Sequence, residues 1–220
     1  SSDVCSSDLE FRIDAGPNTI YIGEDDSRQS NELSYDVLSV ILRGTYDWNN
    51  HSFSFGFERE TTDVFNLFVQ HSIGQFDFDS IEDFRNGIPA GIDYENAPSL
   101  DPNDAAAEFA FSVNSFYAQD VWDVTSTLTL TAGLRYDLYT SDDVPAENAN
   151  FVASYGFTNA QNLDGLGLLQ PRFGVQWDAS DRLSVRGGVG LFSGGNPNVW
   201  LSNNYSNDFV RKFGADEDAF

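Results

Sequence analysis

Apolar and polar residues alternate with a period of two along several stretches of this chain. From 51 to 57, Phe53, Phe55 and Phe57 fall on one face, with Ser52, Ser54 and Gly56 on the other. From 128 to 137, Leu128, Leu130, Ala132, Leu134 and Tyr136 oppose Thr129, Thr131, Gly133, Arg135 and Asp137. From 169 to 177, Leu169, Pro171, Phe173, Val175 and Trp177 oppose Gln170, Arg172, Gly174 and Gln176. From 183 to 191, Leu183, Val185, Val189 and Leu191 oppose Ser184, Arg186, Gly188 and Gly190. Successive side chains of a strand point to opposite faces, so this pattern predicts strands and not helices. Two noisier segments follow the same rule. In 34–48, Leu38, Val40, Leu42, Tyr46 and Trp48 share a face; in 108–122, Phe109, Phe111, Val113, Tyr117 and Val121 do.

The connections alternate in length. Short Asn-, Asp- and Ser-rich turns at 47–50, 123–127 and 178–181 join the strands in pairs. Long polar stretches, 61–107 and 141–168, lie between the pairs. Short turns on one side and long loops on the other are the rhythm of a transmembrane β-barrel, whose tilted strands of about ten residues cross the bilayer. A soluble β-sandwich also alternates, with one face on a packed core. Three features favour the barrel. Tyr46, Trp48, Trp122, Tyr136 and Trp177 cluster near strand ends, where an interfacial girdle sits. The polar face carries Arg135, Asp137, Arg172 and Arg186 among glycines, as a wet lumen allows. The strands also run longer than the usual five or six residues. Within the first long loop, Ser80 followed by Asp83, with Asn86-Gly87 as a stop, predicts a short helix over 80–86. The expected fold is all-β, an antiparallel transmembrane barrel portion with long extracellular loops and one short loop helix.

Composition narrows the function. Lys and Arg total 11 against 35 Asp and Glu, for a net charge of −24, which excludes nucleic-acid binding through a basic footprint. Aromatics at 15% exclude an acidic disordered chain. No apolar run is long enough for a membrane helix. Residues 1–9 back-translate into the end of a common sequencing-library adapter, so they are read as an artefact rather than protein. Removing them lowers the acids from 35 to 33, brings the charge to −22 and removes Cys5, the only cysteine. Residues 10–220 are then expected to be part of a longer barrel, with upstream sequence missing. Phe220 matches a common outer-membrane ending, but the acidic 215–220 does not alternate, so a second truncation is expected there.

The segments Phe116–Trp122 and Leu128–Asp137, joined by a turn, resemble the barrel hairpin of TonB-dependent outer-membrane receptors. Asp63–Val69, Arg186–Gly194 and Pro197–Asn203 are similar to the Oar-like branch of that family. The resemblance covers nearly all of 10–220. It implies a barrel of about 22 strands around an N-terminal plug. It also implies a TonB complex that pulls on the plug, and energised uptake of a scarce ligand; ferric siderophores, cobalamin and glycans are common in the family. The branch often carries an N-terminal carboxypeptidase-regulatory-like domain as well. The expected partners are therefore outer-membrane lipid, the missing plug of the same chain, TonB through that plug, and an unknown ligand. A passive porin, a structural barrel or adhesin, and a secreted sandwich binding glycan or calcium remain as alternatives.

Catalytic chemistry finds no support in the residues. His51 and His71 are the only histidines, and neither has a spaced partner for zinc or a triad. Gly187-Gly188-Val189-Gly190 lacks the Lys-Ser/Thr of a phosphate loop. Asp101 and Asp104 lack the spacing of a calcium loop, and the acidic loops read as solvated. No enzyme, cofactor or metal is expected. Arg135, Asp137, Arg172 and Arg186 are the candidate lumen residues, either holding the plug and lining the route or simply satisfying one another. Selection belongs to the loops 61–107, 141–168 and 194–210. There, Tyr94, Phe151, Tyr155, Trp200 and Tyr205 are either ligand contacts or packing pins.

Overall fold

The computed structural model describes residues 9–195, 198–206, 210 and 212–215. The readings attached to residues 1–8, Pro197 and Phe220 lie outside the described residues. Six long strands form one antiparallel sheet: β3 (Asn31–Trp48), β4 (His51–Phe68), β7 (Ala107–Thr125), β8 (Leu128–Thr140), β9 (Gly167–Ser180) and β10 (Leu183–Gly190). Their order, β10-β9-β8-β7-β4-β3, makes every neighbour consecutive within the sheet. Asn49 and Asn50 alone separate β3 from β4, and Asn49 takes the left-handed conformation at φ 51°, which Asn tolerates better than most residues. The sheet is open, with β3 and β10 at its edges.

Cross-strand register lines up the alternating residues. Leu42, Phe57, Phe116, Tyr136 and Leu169 form one row, and Gly44, Phe55, Ala118, Leu134 and Pro171 the next. Trp122 stands opposite His51, and Trp177 opposite Leu128, at the turn end. Leu42, Phe55, Phe116, Leu134, Phe173 and Trp177 are all exposed. No second sheet covers this face among the described residues, as a soluble sandwich would require. Phe53, Phe55, Phe57, Leu130 and Leu134 therefore lie on a single continuous face, the lipid-facing band of the barrel wall.

A second, five-stranded sheet gathers β1 (Glu10–Ala15), β2 (Asn18–Ile22), β5 (Gln75–Phe78), β6 (Gly91–Asn96) and β11 (Phe213–Ala215) in the order β11-β6-β5-β1-β2. The pair β1–β5 is parallel, unlike the rest. Part of the stretch expected to be loop, at β5 and β6, thus joins the β1–β2 hairpin and β11 in a domain-like cap beyond the long-loop end of the sheet.

Three expectations need correction. The stretch 61–107 is not all loop, because β4 runs to Phe68 and β7 begins at Ala107. The face holding Tyr117 and Val121 is the polar one, since Tyr117 pairs with Arg135, while Phe116 and Ala118 lie on the apolar face. Both misreadings have one cause. Beyond Glu58 the two faces change character. Arg59, Thr61, Ser112 and Asn114 continue the apolar face, bonded to one another, with Arg59 donating to Asn114 Oδ1 at 3.3 Å. On the other face Val64, Ala107, Phe109 and Phe111 form a buried core with Tyr205. Leu67, Val69, Ala97, Ala105 and Ala106 pack a second cluster. The strands leave the lipid zone here and are packed like a water-soluble protein.

The third correction concerns α-helices, which number three among the described residues rather than one. α1 (Ile81–Asn86) is the predicted helix, with Ser80 Oγ accepting from the Asp83 N–H and Gly87 left-handed at φ 66°. α2 (Ala149–Tyr155) is capped by Asn148 and ended by left-handed Gly156. α3 (Asn198–Ser206) shows no apolar stripe to read from sequence; tertiary packing holds it.

Candidate functional site

The polar face of β4, β7, β8 and β9 carries a connected network of charges. Alternation places Glu58, Ser115, Arg135, Asp137 and Gln170 on that face, and register brings them together: Glu58 lies opposite Ser115, Ser115 opposite Asp137, and Arg135 opposite Gln170. Arg135 is the hub. Its Nε donates to Asp137 Oδ1 at 2.8 Å, Nη1 to Glu58 Oε2 at 3.0 Å and Nη2 to Ser115 Oγ at 2.6 Å. Arg43 of β3 donates to the other Glu58 oxygen at 3.0 Å.

Asp137 is the most enclosed charged member, at 3% exposure. Both of its oxygens are satisfied. Ser115 Oγ donates to Oδ1 at 2.6 Å, while Gln170 Nε2 and Ser193 Oγ donate to Oδ2 at 2.5 and 3.0 Å. The backbone N–H of Ser193 returns to Gln170 Oε1 at 2.9 Å, which ties the segment after β10 to this spot. A carboxylate this enclosed is tolerable because each lone pair has a donor and a guanidinium lies alongside.

Two arginines and two carboxylates cancel in this network. Arg172 is the additional cation. It reaches Gln170 Oε1 only at 3.5 Å, lies 4.6 Å from the Phe192 ring centre, and its buried Nε has no hydrogen-bond partner. Arg186 faces the same side, opposite Gln176, and is exposed with no ion pair among the described residues. The structure therefore joins three of the four expected lumen residues, Arg135, Asp137 and Arg172, and leaves Arg186 apart. Glu58, Ser115, Gln170 and Ser193 were missed as site residues. Parity alone would have found Glu58, one position past the last residue read as strand.

The five aromatic loop residues separate. Tyr205 is no ligand contact: it is 2% exposed, stacks on Phe109 at 4.5 Å and donates to the Asp143 carbonyl at 2.7 Å. Tyr94 belongs to β6, where its hydroxyl accepts from Asn96 at 3.0 Å and its ring meets Phe213. Phe151 and Tyr155 pack together at 4.7 Å on α2 beside Phe157. Trp200, at 73% exposure, presents the largest uncovered ring of the five. His51 pairs with Asp120 and His71 with Asp26, each a contact that holds neighbouring segments together. Among the described residues, no group of three His, Cys, Asp or Glu is placed to hold a metal.

A family model for an outer membrane beta barrel domain matches residues 10–217. No curated protein and no solved structure matches the chain.

Proposed function

We propose that this chain, which belongs to the outer membrane β-barrel domain family and resides in the bacterial outer membrane, is the barrel portion of a TonB-dependent receptor of the Oar-like branch. It takes up a scarce ligand by energised passage and performs no catalysis. The observation that carries the reading is the β7–β8 hairpin, on which the resemblance rests. Its motif residues divide between the two surfaces such a barrel needs. Phe116, Leu134 and Tyr136 join the lipid-facing band, whereas Arg135 and Asp137 anchor the network on the opposite face. A lumen whose charges are tied together suits a wall that a folded plug lies against. The partners of this reading are bilayer lipid, a plug in the same polypeptide, the TonB complex acting on that plug, and a ligand selected by the outer loops.

A passive porin or structural barrel is the second reading. It is favoured by Arg172, whose unpartnered Nε suits a charged pore wall. Sequencing across both ends of the gene tests the choice. A plug with a TonB box upstream is expected, and the full-length protein in planar bilayers should then carry no steady ion current. A gene without a plug, whose product conducts steadily, would replace the receptor with a porin.

A further inference from the structure

The polar face holds a cleft that the charge network borders but does not fill. Two successive cross-strand rows build it. One runs through Arg43, Gly56, Tyr117, Arg135 and Gln170, the next through Thr45, Ser54, Gln119, Gly133 and Arg172. Neither row contains a carboxylate. Over them lies a cavity of about 230 Å³, lined by Arg43, Ser54, Tyr117, Gln119, Arg135 and Arg172, and Glu58 reaches it from the adjoining row. Three arginines thus meet one carboxylate, in a chain with 11 basic residues against 35 acidic.

That carboxylate is already neutralised. Arg43 and Arg135 each donate to one Glu58 oxygen at 3.0 Å. Asp137, in the row of Glu58, is enclosed by its own donors. The carboxylates nearest the turns, Asp47, Asp123 and Asp178, lie outside the cleft, each accepting from a hydroxyl across its own turn, Ser52, Thr129 and Ser184. Arg172 is left as the surplus cation. Its one polar contact is Nη2 to Gln170 Oε1, at 3.5 Å. Its Nε is enclosed, but Nη1, which also lacks a partner, is not. Ser54, Tyr117 and Gln119 make no side-chain hydrogen bond among the described residues. Tyr117 reaches over Gly56, where a Cβ would stand 2.5 Å from its hydroxyl. A surplus guanidinium beside unengaged hydroxyl and amide donors is the arrangement that holds an oxyanion.

We propose that this cleft is a binding site for a small oxyanion, a carboxylate or phosphate group, with Arg172 as its principal donor. Tyr117, Ser54 and Gln119 supply the neutral donors. On the lumen side of the wall, the cleft favours a ligand that carries such a group. That the anion is the ligand in passage rests on the transport reading; the binding itself rests only on the geometry of the wall.

Isothermal titration calorimetry of the full-length protein in non-ionic detergent tests it, with malonate, inorganic phosphate and, as a cation, ethylenediamine. Malonate or phosphate should bind saturably and ethylenediamine should not. Arg172→Gln should weaken the anion about tenfold, the loss of one hydrogen bond to a charged group. Arg186→Gln removes the same charge from the same face outside the cleft, and should weaken it less than about twofold. Glu58→Gln, which removes the cleft's one carboxylate, should tighten it severalfold. No TonB and no energy source is present, so a null result overturns the site and leaves uptake standing, whereas a gene without a plug leaves the site standing. Absence of saturable anion binding, undiminished binding in a folded Arg172→Gln protein, equal losses in Arg172→Gln and Arg186→Gln, or weaker binding in a folded Glu58→Gln protein would each overturn it. Binding that appears only after urea has released the plug would assign the cleft to a plug carboxylate and overturn it as a ligand site.

Discussion

Asp137 shows how a charge survives inside a sheet built for a membrane. Three neutral donors and the Arg135 guanidinium enclose it, so that no lone pair is left without a partner. Asp137→Asn would preserve the shape but leave the Arg135 charge shared with Glu58 alone. It would also set an amide N–H₂ against donors already in place. We expect a loss of about 3 kcal/mol in reversible urea unfolding from vesicles. Arg135→Gln in the same background should recover part of it, because the surplus charge then disappears. Independent, additive effects of the two substitutions would show that the network is not one unit. Asp137 and Arg135 were legible as lumen candidates by parity. Their partner Ser193 was not, because it arrives from beyond β10 and no local pattern announces that contact.

At the scale of elements, the cap sheet has its own electrostatics. Glu10 of β1 is buried and accepts the Asp26 N–H at 2.6 Å. Burial pushes its carboxyl above the ordinary carboxylate range, and the Asp26 and Asp25 carboxylates add to that rise; the Asp26 N–H and His71 pull the other way. A raised acid favours the protonated form in the folded state. Its stabilising share is therefore full below the ordinary carboxylate value and is lost as the pH climbs through the raised one. Opening of the β1–β2 hairpin should accordingly be rarer at mildly acidic pH than at pH 7, within the pH window of that rise. Hydrogen exchange over 10–22, corrected for intrinsic rates, measures it. Glu10→Gln should keep the contact to Asp26 and erase the pH dependence at that site. An unchanged pH response in the variant would place the effect elsewhere. The strands themselves were legible where one face meets lipid. They were lost above Glu58, where the buried and solvated faces are set by packing against α3 and the 97–106 segment.

The whole molecule reverses the usual arrangement of apolar surface. Its enclosed core lies in the cap and upper strands, at residues such as Val64, Phe109 and Tyr205, while large side chains of the lower sheet stay exposed. In water such a face would aggregate; in a bilayer it is the solvent-compatible one. The two faces should then respond in opposite ways to one substitution. Leu134→Arg, in the middle of the lipid-facing band, should cost about 2–4 kcal/mol in folding into vesicles. Gln119→Arg, one position removed in register and on the lumen side, should cost well under half as much. Comparable penalties at both positions, measured by urea titration, would contradict the assignment of faces.

Local pattern was enough for the strands of the lipid zone, their turns, the polarity of the faces of β4, β8, β9 and β10, and the helix at 81–86. Each follows from contacts between near neighbours, or from a solvent that is uniform along the strand. Period-two alternation and a Ser80–Asp83 cap need no knowledge of the rest of the chain. Tertiary structure alone decided the cap sheet, the parallel β1–β5 pair, α3 and the closing of Ser193 on Asp137. The β1–β5 pair, the seating of α3 and the Ser193–Asp137 contact join segments more than 50 residues apart, and Asn66 Nδ2 donates to Ser202 Oγ across 136 positions. Which distant segment covers a face depends on the shape of both partners. A one-dimensional pattern of polarity records that a face is covered, but not by what.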